Sequence, residues 1–397
     1  MNVFVLPSWY PSANNPASGV FVREQVMAVA RACPDTNLTV GTWGHLDAAL
    51  SLRDPVASVH ALRWRARHSG TSWRTMAANV AQVTTPALTW TLALAGGNVA
   101  AVLRASRKNL AQAEGHVGPP QLIHAHVGFP AGWVAARLAR ERRVPFVVTE
   151  HMSPFPFPAI ARSACAMRCL RQAYAEARAV IAVSPSLAQE MQAHDMRCTH
   201  VVPNVVDMSR FTLSDPPTEG PFTFFSLGGP SAQKGTDVLV RALAQPVLRD
   251  ASLRVVIGGS ADARGYRQLA QELDVASRIE WLGGVAPDQV PQRFAACHAL
   301  VQPSRHESFG VVLIEALTCG RPVIATRCGG PESIVNESNG LLVDVEDPVA
   351  LAHAMRWMIE HASRYQAEVL RTHAERRFSG AGVACALVDI YDAALAS

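Results

Sequence analysis

Short apolar runs alternate with longer amphipathic stretches along most of the chain. Residues 3–6, 146–148 and 179–183 are mainly apolar runs of strand length. Between such runs, apolar residues recur at helical spacing, as in residues 20–30 after the loop that contains Gly19. Strands that alternate with helices predict a parallel sheet covered on both faces, once in each half of the chain. The predicted fold class is therefore α/β.

Two stretches of the first half break this rhythm. Residues 38–62 are interpreted as a strand, a loop and a second short strand. Residues 75–103 carry no charge, but Asn79 and Gln82 make them a poor match to the roughly 20 apolar residues of a membrane span. A pair of buried helices is predicted there instead. After Leu351 the chain is predicted to be helical to its end.

Composition indicates a folded protein of two or three domains. The chain has 397 residues, of which 49% are hydrophobic and 17% charged, enough for full cores and unlike a disordered chain. The net charge of +4 gives no reason to expect nucleic acid as a partner. Eight scattered cysteines without zinc-site spacing favour reduced thiols in a cytoplasmic protein. Residues 1–11 lack the features of a signal peptide, so we expect the cytosol or the inner face of the cell membrane.

The stretch with the most chemistry is residues 304–335. Glu307 and Glu315 stand eight positions apart around a glycine-containing turn, and the apolar run that follows predicts a helix opening near Ser308. Eight residues are just over two helical turns, so both carboxylates can face one ligand. The N–H groups of a helix start suit a pyrophosphate, and a carboxylate further along suits ribose hydroxyls. The pattern indicates a nucleotide-sugar site.

Three further segments add candidate ligand groups. Gly19 stands between a strand and a helix, where backbone can approach a phosphate closely; an ordinary connecting loop is the alternative. Lys234 follows a glycine-rich turn, but Gln233 occupies the place of a glycine that a Walker A loop requires. His126 lies on a predicted strand and His151 at the end of the next, where open α/β sheets bind their ligands.

The motif residues of the stretch are Ser304, Glu307, Glu315, Gly320, Pro322, Gly329, Gly330 and Glu332. Together they resemble the donor-site signature of the retaining glycosyltransferases of family 4, and the resemblance extends over nearly the whole chain. It implies the GT-B fold, in which two Rossmann-like parallel-sheet domains face each other across a cleft. Residues 1–200 would bind the acceptor and residues 201–379 the nucleotide-sugar donor, while helix 380–397 would pack back on the first domain.

The resemblance also implies roles for individual residues. His151, Glu307 and Lys234 are the predicted catalytic residues: His151 contacts the donor sugar and Lys234 neutralises the pyrophosphate, while Glu315 holds the ribose. The family often has an arginine five residues before the lysine; here that residue is Gly229, so its replacement is an open question. The remaining predicted donor-binding residues are Gly19, Gly284, Val285, Ser308, Phe309, Gly310 and Val311, and the predicted acceptor residue is His126.

The implied reaction is retaining transfer from a UDP- or GDP-linked sugar to an acceptor hydroxyl. Negative charge grows on the departing diphosphate, so its stabilisation should be the largest catalytic term. In the family picture the leaving phosphate accepts the acceptor's proton and Glu307 binds a sugar hydroxyl; double displacement through Glu307 is the alternative. No D-x-D pair is placed to hold a metal, so metal-independent chemistry without a cofactor is expected. Rival functions are a GT-B sugar epimerase or phosphorylase, and a non-catalytic nucleotide-sugar-binding protein.

The acceptor is predicted to be a lipid-linked glycan of bacterial surface polysaccharide synthesis. Between Arg53 and Lys108, eight basic residues face one acid, a local charge of +7, and tryptophans Trp64, Trp73 and Trp90 are interleaved with them. Basic and aromatic residues together suit a peripheral membrane contact. The alternative is a half-buried strand, because Arg63, Arg65 and Arg67 alternate with apolar residues; a soluble small-molecule acceptor would then be favoured.

Overall fold

The chain forms two compact units. The structure is a computed structural model and describes residues 1–44, 50, 54–68, 70–90 and 99–396. Unit 1 comprises Met1–Val205 and Gly380–Ser397, and unit 2 comprises Val206–Ser379. Their borders lie close to the domain borders predicted at residues 200 and 379.

Unit 1 is built on one sheet with eight strands among its described residues. The strands are β1 (Asn2–Pro7), β2 (Asn37–Thr42), β3 (Ser72–Ala77), β4 (Val80–Thr84), β5 (Leu122–His126), β6 (Phe146–Glu150), β7 (Ala179–Ala182) and β8 (His200–Val201). Their order is β3-β4-β2-β1-β5-β6-β7-β8. All neighbours pair in parallel except β3, which runs antiparallel to β4. The sheet is thus a doubly wound parallel sheet with one antiparallel edge strand.

Helices cover this sheet. They are α1 (Val20–Ala32), α2 (Pro55–Arg67), α3 (Val99–Val117), α4 (Trp133–Arg142), α5 (Pro158–Ala161), α6 (Ala164–Glu176) and α7 (Pro185–Ala193). In α1, Val22, Val26 and Val29 recur at helical spacing and join the core formed with β1 and β2. The Ser184 hydroxyl accepts a hydrogen bond from the N–H of Leu187 at 3.1 Å and so caps the N-terminus of α7.

Unit 2 has a six-stranded sheet in which every neighbouring pair is parallel. Its strands are β9 (Phe222–Leu227), β10 (Leu253–Gly258), β11 (Ile279–Gly283), β12 (Ala299–Gln302), β13 (Val323–Thr326) and β14 (Gly340–Val343), in the order β11-β10-β9-β12-β13-β14. Its helices are α8 (Thr236–Leu243), α9 (Arg264–Glu272), α10 (Val290–Ala295), α11 (Val311–Thr318), α12 (Pro348–His361) and α13 (Ala367–Phe378). Each unit therefore has the predicted α/β architecture.

The last helix, α14 (Gly380–Ala396), belongs to unit 1. Its residues Val383, Leu387 and Ile390 are buried in the core that also contains the apolar face of α1. The segment Ala367–Ala396, which contains α13 and α14, is long and apolar enough to cross a membrane. Of the apolar window in this segment, 39% is buried.

The second strand predicted within residues 38–62 is wrong for the part of this range that the structure describes, which excludes residues 45–49 and 51–53. The half-buried strand considered for Arg63, Arg65 and Arg67 is wrong as well. These arginines lie on the helix α2. The carboxylate of Asp54 accepts a hydrogen bond from the N–H of Ala57 at 2.9 Å, and Pro55 occupies the first helical position. An Asp–Pro pair is a helix start signal, and it outweighs the local alternation of arginine and apolar residues.

The helix pair predicted within residues 75–103 is also wrong for residues 75–90, whereas residues 99–103 are helical and open α3. Residues up to 84 belong to β3 and β4, an antiparallel hairpin, while residues 91–98 lie outside the described part. Asn79 in the hairpin turn donates from its amide to the carbonyls of Ala30 and Thr36, each at 3.0 Å. The turn asparagine therefore anchors the hairpin to the end of α1 and the start of β2.

Candidate functional site

In unit 2, Lys234 and Glu307 form an ion pair at the carboxyl ends of neighbouring strands. Lys234 lies in the loop after β9 and Glu307 in the loop after β12, and β9 pairs with β12. The Lys234 Nζ lies 2.6 Å from Glu307 Oε1, and the two side chains are 24% and 12% exposed. Because the pair is largely shielded from water, it is stronger than a typical surface pair. The structure thus brings together two of the three predicted catalytic residues.

A polar chain holds the Glu307 carboxylate. The Ser304 hydroxyl donates to Glu307 Oε1 at 2.9 Å and accepts from the Gln302 amide at 3.2 Å. Gln302 and Ser304 are buried. The side-chain oxygen Oε1 of Gln302 accepts from the Ser226 hydroxyl at 3.4 Å. The orientation of Glu307 is therefore tied to β9 and β12.

The backbone of Glu307 is held as well. Its carbonyl accepts from the N–H of Gly330 at 2.7 Å, and a short parallel bridge joins Glu307 to Gly329. A Cβ built on Gly330 would lie 2.3 Å from the Cα of Phe309. The Gly329-Gly330 motif thus supports the glutamate loop by direct backbone contact, which explains why a side chain cannot stand there.

The helix after this loop is α11, and it begins at Val311, three residues later than predicted. Gly310 caps it with φ +102°, a conformation that favours glycine. Phe309 is buried and its ring packs edge-on against Phe378 at 5.8 Å, so only its backbone is available to a ligand. Glu315 is half-buried in the second turn of α11. The two glutamates thus lie on either side of a helix N-terminus, whose first N–H groups lack intrahelical partners.

The backbone of the loop after β9 disfavours the arginine expected at Gly229. Gly229 has φ +84°, which disfavours any other residue. A Cβ on Gly229 would make ordinary contacts, 3.5 Å from Ala261 and Gly259, so backbone conformation rather than lack of space favours glycine there. A Cβ on Gly259, directly after β10, would lie 2.1 Å from the nitrogen of Gly229, so Gly259 is the glycine that the packing of the two loops requires.

Arg305 does not replace that arginine. Its guanidinium pairs with Asp237 at 2.8 Å and with Glu346, and hydrogen bonds to both carboxylates raise its pKa. The backbone N–H of Arg305 also donates to the backbone carbonyl of Gln233 at 2.8 Å. Arg305 therefore holds the lysine loop in place. We did not predict this role, because both carboxylates are distant in sequence.

The turn with the predicted donor-binding residues Gly284 and Val285 follows β11. Gly283 accepts a hydrogen bond from the N–H of Gly259 at 2.6 Å, and the side chain of Val285 packs over Gly258. A Cβ on Gly284 would lie 2.5 Å from the hydroxyl of Ser260. A cavity of about 260 Å³ opens nearby and is lined by Pro230, Gly259, Ala261, Arg267, Trp281 and Gly283, among others.

Unit 1 contains a cluster of three buried histidines. His126 Nδ1 lies 3.0 Å from His151 Nε2, while His124 contacts the hydroxyls of Tyr391 at 2.7 Å and Thr149 at 2.8 Å. Burial lowers the pKa of His124 and of His151 to about 3 and holds the pKa of His126 well below its usual value. All three rings are therefore neutral at physiological pH, suited to hydrogen bonding with hydroxyl groups rather than to carrying charge.

The two predicted ligand residues of this cluster differ in their surroundings. Phe21 packs on the His151 ring at a centroid distance of 4.5 Å. His126 Nε2 is buried and has no hydrogen-bond partner among the described residues. Gly19 lies at the start of α1 with φ +64°, and a Cβ there would lie 2.2 Å from the carbonyl oxygen of Trp9. The close approach of the Trp9 backbone therefore requires glycine at position 19, and the phosphate contact stays a prediction.

One charged residue of this region escaped the sequence analysis. Glu150 is the last residue of β6 and is fully buried. The sequence signal that could have identified it is the position of a carboxylate two residues after the apolar residues 146–148 of a buried strand. A charge at such a position needs partners inside the protein.

Two doubly wound α/β units in one chain define the GT-B class of folds, as predicted. The chain belongs to the family 4 glycosyltransferases. The model of "Glycosyltransferase Family 4" matches residues 48–210, and that of "Glycosyl transferases group 1" matches residues 213–375. The resemblance noted in the sequence is thereby confirmed.

Curated relatives support this membership. The chain is 31% identical over 314 residues to a D-inositol 3-phosphate glycosyltransferase of Geodermatophilus obscurus, covering 71% of this chain and 68% of the relative. It is 34% identical over 172 residues to a protein of the same name from Corynebacterium diphtheriae, covering 41% of this chain and 40% of the relative. The second match thus spans less than half of the relative's length.

Two solved structures share the fold over the full chain. Sucrose-phosphate synthase from Thermosynechococcus elongatus has a TM-score of 0.74 at 19% identity and is covered completely in both directions. HepE from Anabaena, solved in complex with UDP-glucose, has a TM-score of 0.69 at 20% identity and covers 99% of this chain and 100% of its own. At these identities the likeness concerns the fold.

The histidine cluster predicts a dependence of stability on pH. Below about pH 6.5 the unfolded chain takes up protons on these histidines, whereas folded His124 and His151 do so only near pH 3. The free energy of unfolding should therefore decrease as the pH falls from about 7 toward 3. In His124→Gln this dependence should be weaker by up to about 1.4 kcal/mol per pH unit. Urea unfolding at several pH values measures it.

His60→Gln provides the control for this experiment. His60 is exposed on α2, so the variant should follow the wild-type pH dependence. Equal slopes for His124→Gln and the wild type would contradict the assignment of a neutral, buried His124.

Proposed function

We propose that the protein is a retaining glycosyltransferase that moves a sugar from a nucleotide-diphosphate sugar to an acceptor hydroxyl. The observation that carries this proposal is the Lys234–Glu307 pair in front of the N-terminus of α11. A cation and helix-start N–H groups suit a diphosphate. A carboxylate beside them suits sugar hydroxyls, and Glu315 in the second turn suits the ribose.

The site would stabilise the negative charge that develops on the departing diphosphate. As the sugar–phosphate bond breaks, Lys234 and the first N–H groups of α11 would interact with the growing negative charge. The leaving phosphate would take the proton of the acceptor hydroxyl, which attacks from the same face. His151, as a neutral imidazole, would bind a hydroxyl of the donor sugar. No metal or other cofactor is part of this proposal.

Glu307 would act as a ligand of the sugar rather than as a nucleophile. Its Oε1 accepts from the Ser304 hydroxyl, a contact that would remain when Lys234 turns toward the diphosphate, and this donor withdraws electron density from the carboxylate. A carboxylate held in this way is a poorer nucleophile but a well-oriented hydrogen-bond acceptor. The contacts therefore favour direct transfer over double displacement.

Uracil is the proposed base of the donor nucleotide. The support comes from HepE, a protein of the same fold that was solved with UDP and with UDP-glucose. In this chain, the turn with Gly284 and Val285 and the adjoining cavity would receive the base.

The acceptor is proposed to be a lipid-linked glycan presented at the inner face of the cell membrane. On α2, Val56 and Val59 are 67% and 45% exposed, and the exposed Arg63 and Arg67 follow on the same face at helical spacing. An exposed apolar strip beside arginines suits an anionic lipid surface.

The tryptophans of this region contribute less than the sequence suggested. Trp64 stacks on His68 at 4.7 Å and packs over Gly44, and Trp73 stacks on His116 at 4.1 Å. The proposed contact therefore rests on α2. The name of the D-inositol 3-phosphate glycosyltransferases supports a second candidate, a soluble small-molecule acceptor.

UDP should raise the melting temperature of the protein more than GDP, ADP or phosphate does. A ligand present at 100 times its Kd adds about 2.7 kcal/mol to the free energy of unfolding. A thermal-shift panel with the four compounds measures this effect, and Lys234→Ala should lose most of the response. Absence of a shift with every nucleoside diphosphate would contradict the proposed function.

Glu315→Ala and Glu307→Gln should have opposite effects. Glu315→Ala should weaken UDP binding by about 1–3 kcal/mol, because it removes hydrogen bonds to a charged group. Glu307→Gln should lower kcat, while UDP binding stays equal or tightens because Lys234 is released from its ion pair. Calorimetric titration with UDP and steady-state kinetics separate the two. Weaker UDP binding in Glu307→Gln with normal turnover would show that the roles are reversed.

Binding to anionic vesicles should depend on the arginines of α2. Co-sedimentation with vesicles of phosphatidylglycerol and phosphatidylcholine should exceed that with phosphatidylcholine alone and should decline at high salt. Arg63→Gln combined with Arg67→Gln should abolish it. The matched control changes Arg241 and Arg249, both exposed in unit 2, to Gln. Equal sedimentation with both lipid types would favour the soluble acceptor.

A further inference from the structure

Glu150 is a buried carboxylate whose backbone partners all lie in the two loops that follow His126 and Glu150. Its Oε1 accepts from the backbone N–H groups of His151 and Met152, each at 2.7 Å. Its Oε2 accepts from the N–H of Gly128 at 2.9 Å and from the Tyr174 hydroxyl. The residue is completely buried, so these contacts replace its hydration.

These contacts match an ionised carboxylate. Three of the four partners are backbone N–H groups, which can only donate, and the Tyr174 hydroxyl is oriented as a donor as well. Burial is the largest influence and raises the pKa of Glu150 above its ordinary value, and the hydrogen bonds from Tyr174 and the three backbone groups offset part of that rise. Burial also raises the pKa of Tyr174 well above its usual value, so its hydroxyl remains a donor.

The carboxylate joins two loops that are distant in sequence. Gly128 belongs to the loop after β5, two residues beyond His126, while His151 and Met152 open the loop after β6. These are the residues where the two histidines leave their strands. One side chain thus ties the two loops together just beyond the point where the pairing of β5 and β6 ends.

The loop after β5 needs such an anchor. Val127 has φ +76°, a strained conformation for a β-branched residue. A Cβ on Gly128 would lie 2.5–2.6 Å from atoms of Leu170 and Tyr174, so the loop is pressed directly against α6. The hydrogen bond from the N–H of Gly128 to Glu150 fixes this strained turn.

We propose that Glu150 is a positioning residue of the transfer reaction, which fixes the His126–His151 pair through the backbone of both loops, with Tyr174 as its support. In its effect on turnover, this inference rests on the proposed function. Glu150 itself does not touch the substrate; it acts through the 3.0 Å contact between the two rings.

The test is Glu150→Gln. A glutamine side chain has one accepting oxygen, and its NH₂ group would face Gly128 and Tyr174. The Tyr174 hydroxyl can rotate and accept from it, but the N–H of Gly128 would lose its acceptor. The variant should fold, bind UDP as the wild type does because Glu150 contacts none of the proposed nucleotide ligands, and lose at least tenfold in kcat.

A second measurement works without turnover. The ring ¹⁵N signals of His126 and His151, assigned with His126→Gln and His151→Gln, report the hydrogen bond between them. They should shift in Glu150→Gln. Tyr174→Phe keeps the aromatic ring and removes one donor, so it should cause a smaller shift and a two- to fivefold loss of kcat. It also provides the test if Glu150→Gln does not fold.

Glu114→Gln is the matched control. Glu114 is a carboxylate of unit 1 that pairs with Arg142 at 2.6 Å, on α3, and its variant should leave the ring signals and kcat unchanged. Unchanged ring signals and kcat in folded Glu150→Gln would overturn the inference. A wild type without turnover on any nucleotide sugar would instead contradict the proposed function, and the ring signals would still test Glu150.

Discussion

Parallel strand pairing decides which residues can meet in each unit. In unit 2, β9 pairs with β12, so Ser226 contacts Gln302, 76 positions later. In unit 1, β5 and β6 pair His126 with Thr149, and His151, two residues further, comes to lie beside His126. Because the carboxyl ends of parallel strands meet at one edge, the loops that follow them carry nearly all candidate groups. The register of the strands therefore decides which of the candidate groups can interact.

Two carboxylates at these edges are stabilised in different ways. Glu307 is held by an ammonium group and a hydroxyl on flexible side chains, whereas three of the four donors to Glu150 are backbone N–H groups. An ammonium on a long side chain can move to another anion, and backbone donors in a packed loop cannot. Glu307 is thus suited to exchanging partners during a reaction cycle, and Glu150 is suited to holding a geometry.

Local patterns in the sequence predict most of the fold, because strand and helix periods, the Ser184 cap and the glycine turns are local. The two errors, at α2 and at the β3–β4 hairpin, occur where local signals compete: an Asp54–Pro55 start against alternating arginines, and a turn asparagine within an uncharged stretch. The network around Lys234 joins groups 73 positions apart, and only the family resemblance could place it. Arg305 and Glu150 were missed because their partners are set by tertiary packing.

The glycine at position 229 places a physical constraint on donor binding. The backbone conformation disfavours an arginine there, and Arg305 is already neutralised by two carboxylates. In the proposed reaction, Lys234 would therefore share the charge of the diphosphate with neutral N–H donors at the start of α11. When Lys234 turns toward the diphosphate, Glu307 loses its cation and gains capacity to accept hydrogen bonds from the sugar. Binding of the diphosphate and of the sugar would thus be coupled through a single ion pair, so that binding of the diphosphate would prepare Glu307 to accept hydrogen bonds from the sugar.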